Sequence, residues 1–177
     1  MAIEAVQKVQ GLVGFGVVPP KAGDKLATGV KLKEHSPKVA NVDIDNLPGR
    51  NIIVGIPGAF TPTCSCQIPS YVKDLKKFLA KGIKGVWVVM VNDQFVTEAW
   101  KEKLGAAEET KIHFLADDTG EFTAAIGMGC DSRSLLGGLR SERYAMIVQD
   151  GVIEYIETEP DIDKTTVTKS ETLLEKL

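Results

Sequence analysis

Two β-branched runs with an amphipathic helix between them constrain this chain more than any other feature. Ile52-Ile53-Val54-Gly55-Ile56 stops at Pro57-Gly58, and Val86-Trp87-Val88-Val89-Met90-Val91 stops at Asn92-Asp93. Short apolar runs bounded by turn residues read as buried strands. Between them Ile68, Tyr71, Val72, Leu75, Phe78 and Leu79 recur every three or four residues. That spacing lines one helical face, with Lys73, Asp74, Lys76 and Lys77 on the other, and Gly82 suits the helix end. A strand, helix and strand in this order close as a parallel, right-handed crossover.

The later segments extend the same plan. Asn92 and Asp93 can cap a helix carrying Phe95, Ala99, Trp100 and Leu104, closed by Gly105. Ile112–Leu115 reads as a strand, and Glu121–Ile126 as a short helix ending at Gly127. Tyr144–Gln149 and Val152–Ile156 flank Asp150-Gly151, a two-residue hairpin signal. Thr168-Lys169-Ser170-Glu171 reads as a capping box ahead of Leu173, Leu174 and Leu177. Residues 19–50, punctuated by Pro19, Pro20, Gly23, Gly29, Pro37, Pro48 and Gly49, read as turns between short edge strands. The expectation is a single domain over residues 1–177 of the α/β class. Its mixed central β-sheet is parallel in the middle, carries an antiparallel hairpin and is flanked by helices.

Composition excludes several classes. With 44% hydrophobic and 25% charged residues the chain is no disordered polymer. The longest apolar stretches, near Gly11–Val18 and Val86–Val91, fall far short of the roughly 20 residues of a membrane span. Glu4 occupies the would-be basic region of a leader, so Gly11–Val18 reads as part of the fold. A net charge of −3, no basic stripe and 6% aromatics argue against a nucleic-acid partner. Three cysteines are an odd number and too few for a disulfide scaffold; they point to reactive or packing thiols in a reducing, cytoplasmic setting. Glu175-Lys176-Leu177 only partly resembles a Ser-Lys-Leu peroxisomal address, so peroxisome and mitochondrion stand as alternatives.

The chemistry concentrates in Pro57-Gly58-Ala59-Phe60-Thr61-Pro62-Thr63-Cys64-Ser65-Cys66, between the first strand and its helix. In open α/β sheets, sites gather at the carboxyl ends of strands. A cysteine in a helix's first turn feels the positive end of the macrodipole and the free amide groups there. Both favour thiolate over thiol, and thiolate is the nucleophile. The layout is thioredoxin-like, with Thr61-x-x-Cys64 in place of Cys-x-x-Cys. A threonine cannot form a disulfide, but its hydroxyl can hydrogen-bond a sulfur or a substrate oxygen. Bland readings stand beside these. Taken alone, a cysteine such as Cys64 is most often a buried packing residue, and Arg143 could form a surface ion pair, as Arg133 and Arg140 are expected to do. Cys64, Cys66, Cys130 and His113 could be grouped around a metal, but Cys-x-Cys lacks the usual zinc spacing. His35 and His113 have no evident acid–base partner, Trp87 and Trp100 read as core, and Gly137-Gly138 reads as a turn.

Pro57-x-x-x-Thr61-x-x-Cys64 matches the active-site motif of the peroxiredoxins. The fuller run through Cys64 resembles their type II, or peroxiredoxin-five, branch, which includes fungal peroxisomal and allergen members. The resemblance continues in Val91-Asn92-Asp93-x-Phe95-Val96-x-x-Ala99-Trp100, in Ala116-Asp117-Asp118 and in Arg143-Tyr144-Ala145. It implies a thioredoxin-like fold and a thiol peroxidase acting on hydrogen peroxide and alkyl hydroperoxides, with no metal or organic cofactor. By that resemblance Cys64 is the peroxidatic cysteine that becomes a sulfenic acid, and Thr61 orients the peroxide. Pro57 shields the thiolate, and Arg143 keeps it charged and polarises the peroxide. The implied partners are a peroxide substrate and a thiol reductant (glutathione, glutaredoxin or thioredoxin), in a homodimer.

The chain also departs from that branch. Gln67-Ile68-Pro69-Ser70 is one residue shorter than in many type II members, with Ile68 where they carry histidine. This predicts an altered first helical turn and a shift of Cys64 against the arginine. Neither Val88 nor Thr166–Ser170, where some members place a resolving cysteine, supplies one. Cys66 is too close along the helix to bridge Cys64. A one-cysteine mechanism with an external thiol is expected, with Cys130 as the remaining internal candidate. The competing expectation is a redox sensor or chaperone-like holdase on the same scaffold; a disulfide oxidoreductase would lack its Cys-x-x-Cys.

Overall fold

The computed structural model describes residues 17–177. Most of the apolar stretch Gly11–Val18 lies outside them. The elements run β1 (Arg50–Ile56), α1 (Pro62–Ala80), β2 (Ile83–Met90), α2 (Gln94–Lys103), β3 (Ile112–Ala116) and α3 (Glu121–Ala125). They continue through β4 (Gly129–Ser132), α4 (Arg133–Leu136), β5 (Gly138–Ser141), β6 (Tyr144–Gln149), β7 (Val152–Thr158) and α5 (Ser170–Glu175).

Five strands form one sheet in the order β3-β2-β1-β6-β7. Its centre is β1, parallel to β2 with Val54 opposite Val88, and antiparallel to β6 with Val54 opposite Ala145. The mixed sheet and the β1-α1-β2 crossover follow the sequence pattern. Successive side chains of a strand face opposite ways. Ile52, Val54 and Ile56 therefore pack with Tyr71, Phe78, Trp100 and Leu173 on one face. Ile53 joins Leu26, Leu32, Phe122 and Met146 on the other. This explains why the strands read as continuous apolar runs: both faces are covered.

The helix-start and hairpin-turn signals act as expected. Asp93 caps α2, accepting from the Val96 amide at 3.0 Å. Asp150 (φ 47°) and Gly151 (φ 81°) form the β6–β7 hairpin turn, and the Asp150 carboxylate accepts from the Gly49 amide at 2.6 Å.

Other expectations need correction. Asp74 is buried, not on the solvent face of α1, because it accepts from the Ser170 hydroxyl at 2.7 Å and so anchors α5. Thr168 does not cap α5. Lys169 holds that position without a side-chain bond, and Thr168 is drawn into the interior by polar partners described below. Phe95 is exposed, since the buried face of α2 is made by Gln94, Thr97, Trp100 and Lys101. The two-stranded β4–β5 sheet went unread; its strands are short, only partly buried and carry no apolar alternation. In residues 17–50, bridges from Lys25 to Val152 and from Lys33 to Ala116 tie the irregular segment to the sheet's two edges.

Gly55 marks the tightest packing in β1. A methyl group there would come within 2.0 Å of the Tyr144 ring across the strand pair. Gly55→Ala should therefore destabilise the protein by about 1–3 kcal/mol, the usual cost of overpacking. Gly138→Ala, where nothing lies within 4 Å of the added carbon, should change stability by less than about 0.5 kcal/mol. Urea unfolding of both variants checks the contrast.

Candidate active site

β1 ends at Ile56, and the chain turns through Pro57–Phe60 before α1 begins. Phe60 adopts φ 63°, a left-handed conformation rare for a bulky residue. Its ring leans toward Trp100, with centroids 6.4 Å apart. Thr61 is the extended N-cap residue and Pro62 takes the first helical position, where its missing N–H is no loss. Cys64 thus lies in the first turn, among amides that have no acceptor within the helix. Its side chain is fully buried.

Arg143 comes to the same point from the start of β6. Its Nη1 donates to Cys64 Sγ at 3.3 Å and to Gln67 Oε1 at 2.7 Å, and its Nε donates to the Ile162 carbonyl at 2.9 Å. Arg143 is only 2% exposed, and among the described residues no carboxylate pairs with it. A buried guanidinium without a counter-charge is costly. Of its three hydrogen-bond partners two are neutral carbonyl oxygens, so the sulfur is the one able to supply negative charge. Arg143 thus sets its positive charge directly against the Cys64 sulfur.

A cavity of about 460 Å³ opens above this pair, lined among others by Pro57, Phe60, Thr61, Leu135, Ile162 and Arg143. The Thr61 hydroxyl donates to the Gly58 carbonyl at 3.0 Å. Its proton is thus committed, and toward a ligand in the cavity it accepts. Pro57, at the end of β1, presents no N–H to the cavity. The four sequence-predicted residues are therefore brought together: Pro57, Thr61 and Arg143 on the cavity wall, and Cys64 beneath it against Arg143.

The shortened turn does not displace Cys64 from the arginine. α1 runs unbroken through Pro69, and Gln67 turns inward, 3% exposed, to hold Arg143. Arg133 forms the exposed ion pair expected of it, with Asp131. Arg140 does not; it donates to the backbone carbonyls of Val91 at 2.9 Å and Leu136 at 3.3 Å, bracing the loops behind Gly58. His113 does have a partner: its Nδ1 lies 2.9 Å from the Glu34 carboxylate, and its ring stacks on Trp87 at 3.8 Å. That partner is 79 positions away in the irregular segment, beyond any local pattern. Among the described residues no cluster of three or more candidate metal ligands exists, and no helix is long and apolar enough to cross a membrane.

All three cysteines are free. Cys66 is exposed. Cys130 is half-buried, its sulfur 3.2 Å from the Ser132 hydroxyl; burial pushes its thiol up, against the pull of that hydrogen bond.

Sequence reasoning missed the groups behind Gln67. Its Nε2 donates to the Thr168 hydroxyl at 2.8 Å and to the Thr168 carbonyl at 3.0 Å. The Thr168 hydroxyl donates to Glu159 at 2.9 Å. Glu159, itself buried, also accepts from the Thr166 and Thr168 amides and from the Thr166 hydroxyl. Burial raises the Glu159 carboxyl, but these four hydrogen bonds outweigh it and hold the group below the usual carboxylate range. No periodicity flags such residues; the one signal was Thr168, whose hydroxyl invited a capping role.

A cysteine at a helix N-terminus, held by a buried arginine on a thioredoxin-like sheet, defines the class of thiol peroxidases. The Redoxin family model matches residues 21–174. Peroxisomal membrane associated protein 20 of Schizosaccharomyces pombe is 46% identical over 129 residues, covering 73% of this chain and 83% of its own. Mitochondrial peroxiredoxin-2F of Arabidopsis thaliana is 39% identical over 73% of this chain and 65% of its own. Reduced Prx3 from Vibrio vulnificus, solved in complex with hydrogen peroxide, superimposes with a TM-score of 0.80 at 34% identity, covering 90% of this chain and 100% of that one. Peroxiredoxin 5 from Alvinella pompejana gives 0.77 at 36% identity, covering 89% and 97%. The chain belongs to the redoxin family, as a peroxiredoxin of the peroxiredoxin-five type, and is a thiol-dependent peroxidase.

The Glu159 geometry gives a pH signature. A carboxyl lowered on folding contributes stability above its unfolded value, and that contribution fades as pH falls through the folded one. The stability lost in Glu159→Gln should be largest above about pH 5 and should shrink below about pH 4. Urea midpoints of both proteins between those limits check this; a gap independent of pH would contradict it.

Proposed function

We propose that Cys64 is the peroxidatic sulfur and that Pro57, Thr61 and Arg143 complete its site. The observation that carries this reading is the buried Arg143 guanidinium on the Cys64 sulfur, with no carboxylate to neutralise it. A hydroperoxide enters the cavity, and its O–H donates to Thr61. The Cys64 thiolate attacks the terminal oxygen; an S–O bond forms as the O–O bond breaks. The sulfur loses two electrons and becomes a sulfenic acid, while the departing alkoxide or hydroxide takes a proton from water. Arg143, aimed where charge moves from sulfur to oxygen, stabilises the transition state without reorganising.

The sulfenic acid then condenses with an external thiol, forming a mixed disulfide and releasing water. A second thiol frees Cys64. Cys64 is buried while Cys66, two positions along α1, is exposed and so faces away from it, which supports an external resolver: glutathione, glutaredoxin or thioredoxin. We further propose that residues 1–177 act as one domain and that a homodimer covers the exposed Phe60 and Leu135 at the cavity rim. Three free thiols support a cytoplasmic setting; relatives bear peroxisomal, mitochondrial and chloroplastic names.

Intact-mass analysis after one equivalent of hydrogen peroxide tests the assignment. The wild type should gain one oxygen that a sulfenic-acid reagent traps, and Cys64→Ser should gain none. Loss of two hydrogens would instead mean an internal disulfide and would refute the external resolver. Arg143→Gln should slow Cys64 oxidation by about 100-fold, the scale of losing one oriented donor to developing charge; an unchanged rate would remove Arg143 from the site.

A further inference from the structure

Arg143 is held by a side chain that itself needs holding. Gln67 could present either end of its amide, since oxygen and nitrogen differ little in shape. Arg143 requires the oxygen. The nitrogen end then faces Thr168, where it meets the hydroxyl and the carbonyl. The carbonyl also accepts from the Tyr71 hydroxyl at 2.7 Å, which fixes the Thr168 backbone. The Thr168 hydroxyl has one proton and spends it on Glu159, an ionised carboxylate that can only accept. It is left with lone pairs, and so must accept from Gln67.

Each polarity in the row follows from the one behind it. Glu159 sets the Thr168 hydroxyl, Thr168 sets the Gln67 amide, and Gln67 sets Arg143 Nη1, the atom that also touches Cys64. Every member is nine-tenths buried or more, so a missing partner leaves a buried polar group short of a hydrogen bond. We propose that Glu159 and Thr168 are positioning residues for the peroxidase reaction, acting through Gln67 on Arg143. They touch neither substrate nor sulfur. The row draws on α1, on the end of β7 and on the segment before α5, so the C-terminal part of the chain aligns a site carried by its middle. The proposal rests on Arg143 and Cys64 acting as proposed above.

The test is the second-order rate of Cys64 oxidation by hydrogen peroxide in wild type, Thr168→Val, Thr168→Ser, Gln67→Leu and Thr168→Val/Gln67→Leu. Thr168→Val keeps the shape and removes the hydroxyl; it should cost about tenfold, with Thr168→Ser restoring the rate to within about twofold of wild type. In the Gln67→Leu background the same valine substitution should cost less than about twofold, because contacts in one network are not additive. A structural role alone would instead give equal losses in both backgrounds, and that result overturns the proposal. So does a Thr168→Val protein as fast as wild type. If valine prevents folding, Glu159→Gln is run against the same Gln67→Leu background with the same expectation. A wild type whose Cys64 is not oxidised at all overturns the functional reading itself, and is distinguished by its own mass spectrum.

Discussion

The contact between the Arg143 guanidinium and the Cys64 sulfur, 3.3 Å apart and buried beneath the cavity, is the constraint around which the site is built. A free cation at that depth would be intolerable. Other charged networks in the chain solve the problem with carboxylates: Lys33 takes Asp118 and Arg50 takes Glu154, both near the surface. Arg143 has carbonyl oxygens and a thiol instead. The fold thereby sets a buried positive charge against a sulfur rather than against a carboxylate. The same low-polarity surroundings that make this expensive strengthen the interaction once it forms.

Much of the architecture was legible from the chain. The runs around Val54 and Val88, the helix between them and the Asp150-Gly151 turn obey local rules of period and turn chemistry, and each appears where those rules place it. The positions of Cys64, Thr61 and Pro57 follow because strand, turn and helix start lie next to one another in sequence. Arg143 was legible only through resemblance, since nothing local separates it from Arg140 and Arg133. Those three arginines lie within eleven positions and do three different things. One is buried on a sulfur, one braces backbone carbonyls and one meets an exposed aspartate. Arg133 has its partner two residues away; Arg140 reaches Val91 at 49 positions, and the partners of Arg143 lie 19–79 positions distant.

The misread positions share that cause. Asp74 has the charge of a surface residue and the period of a surface residue, yet Ser170 buries it. Thr168 has the local signature of a cap, yet Glu159 competes for its hydroxyl and wins. Asp74 is satisfied by the Ser170 hydroxyl and the Lys77 ammonium, and Glu159 by hydroxyls and amides; in the second case the buried carboxylate overrides a capping preference worth about 1 kcal/mol. Propensity is a weak prior against hydrogen bonds that would otherwise go unmade in the interior.

The shortened turn after Cys64 carries the same lesson in the other direction. The resemblance implies one residue fewer here, and a residue removed from the first turns of a helix would re-aim the side chains that follow by about 100°. In the structure an amide, Gln67, bonds Arg143 on one side and Thr168 on the other. The helix continues through Pro69 without a break, and Tyr71, one turn on from Gln67, is bonded to the same Thr168 carbonyl. The first three turns of α1 are thus pinned by two side chains, through three hydrogen bonds, to one buried threonine. A helix start held in that way can keep Cys64 in place while the loop in front of it, with Phe60 in its left-handed conformation, shapes the path by which a peroxide arrives.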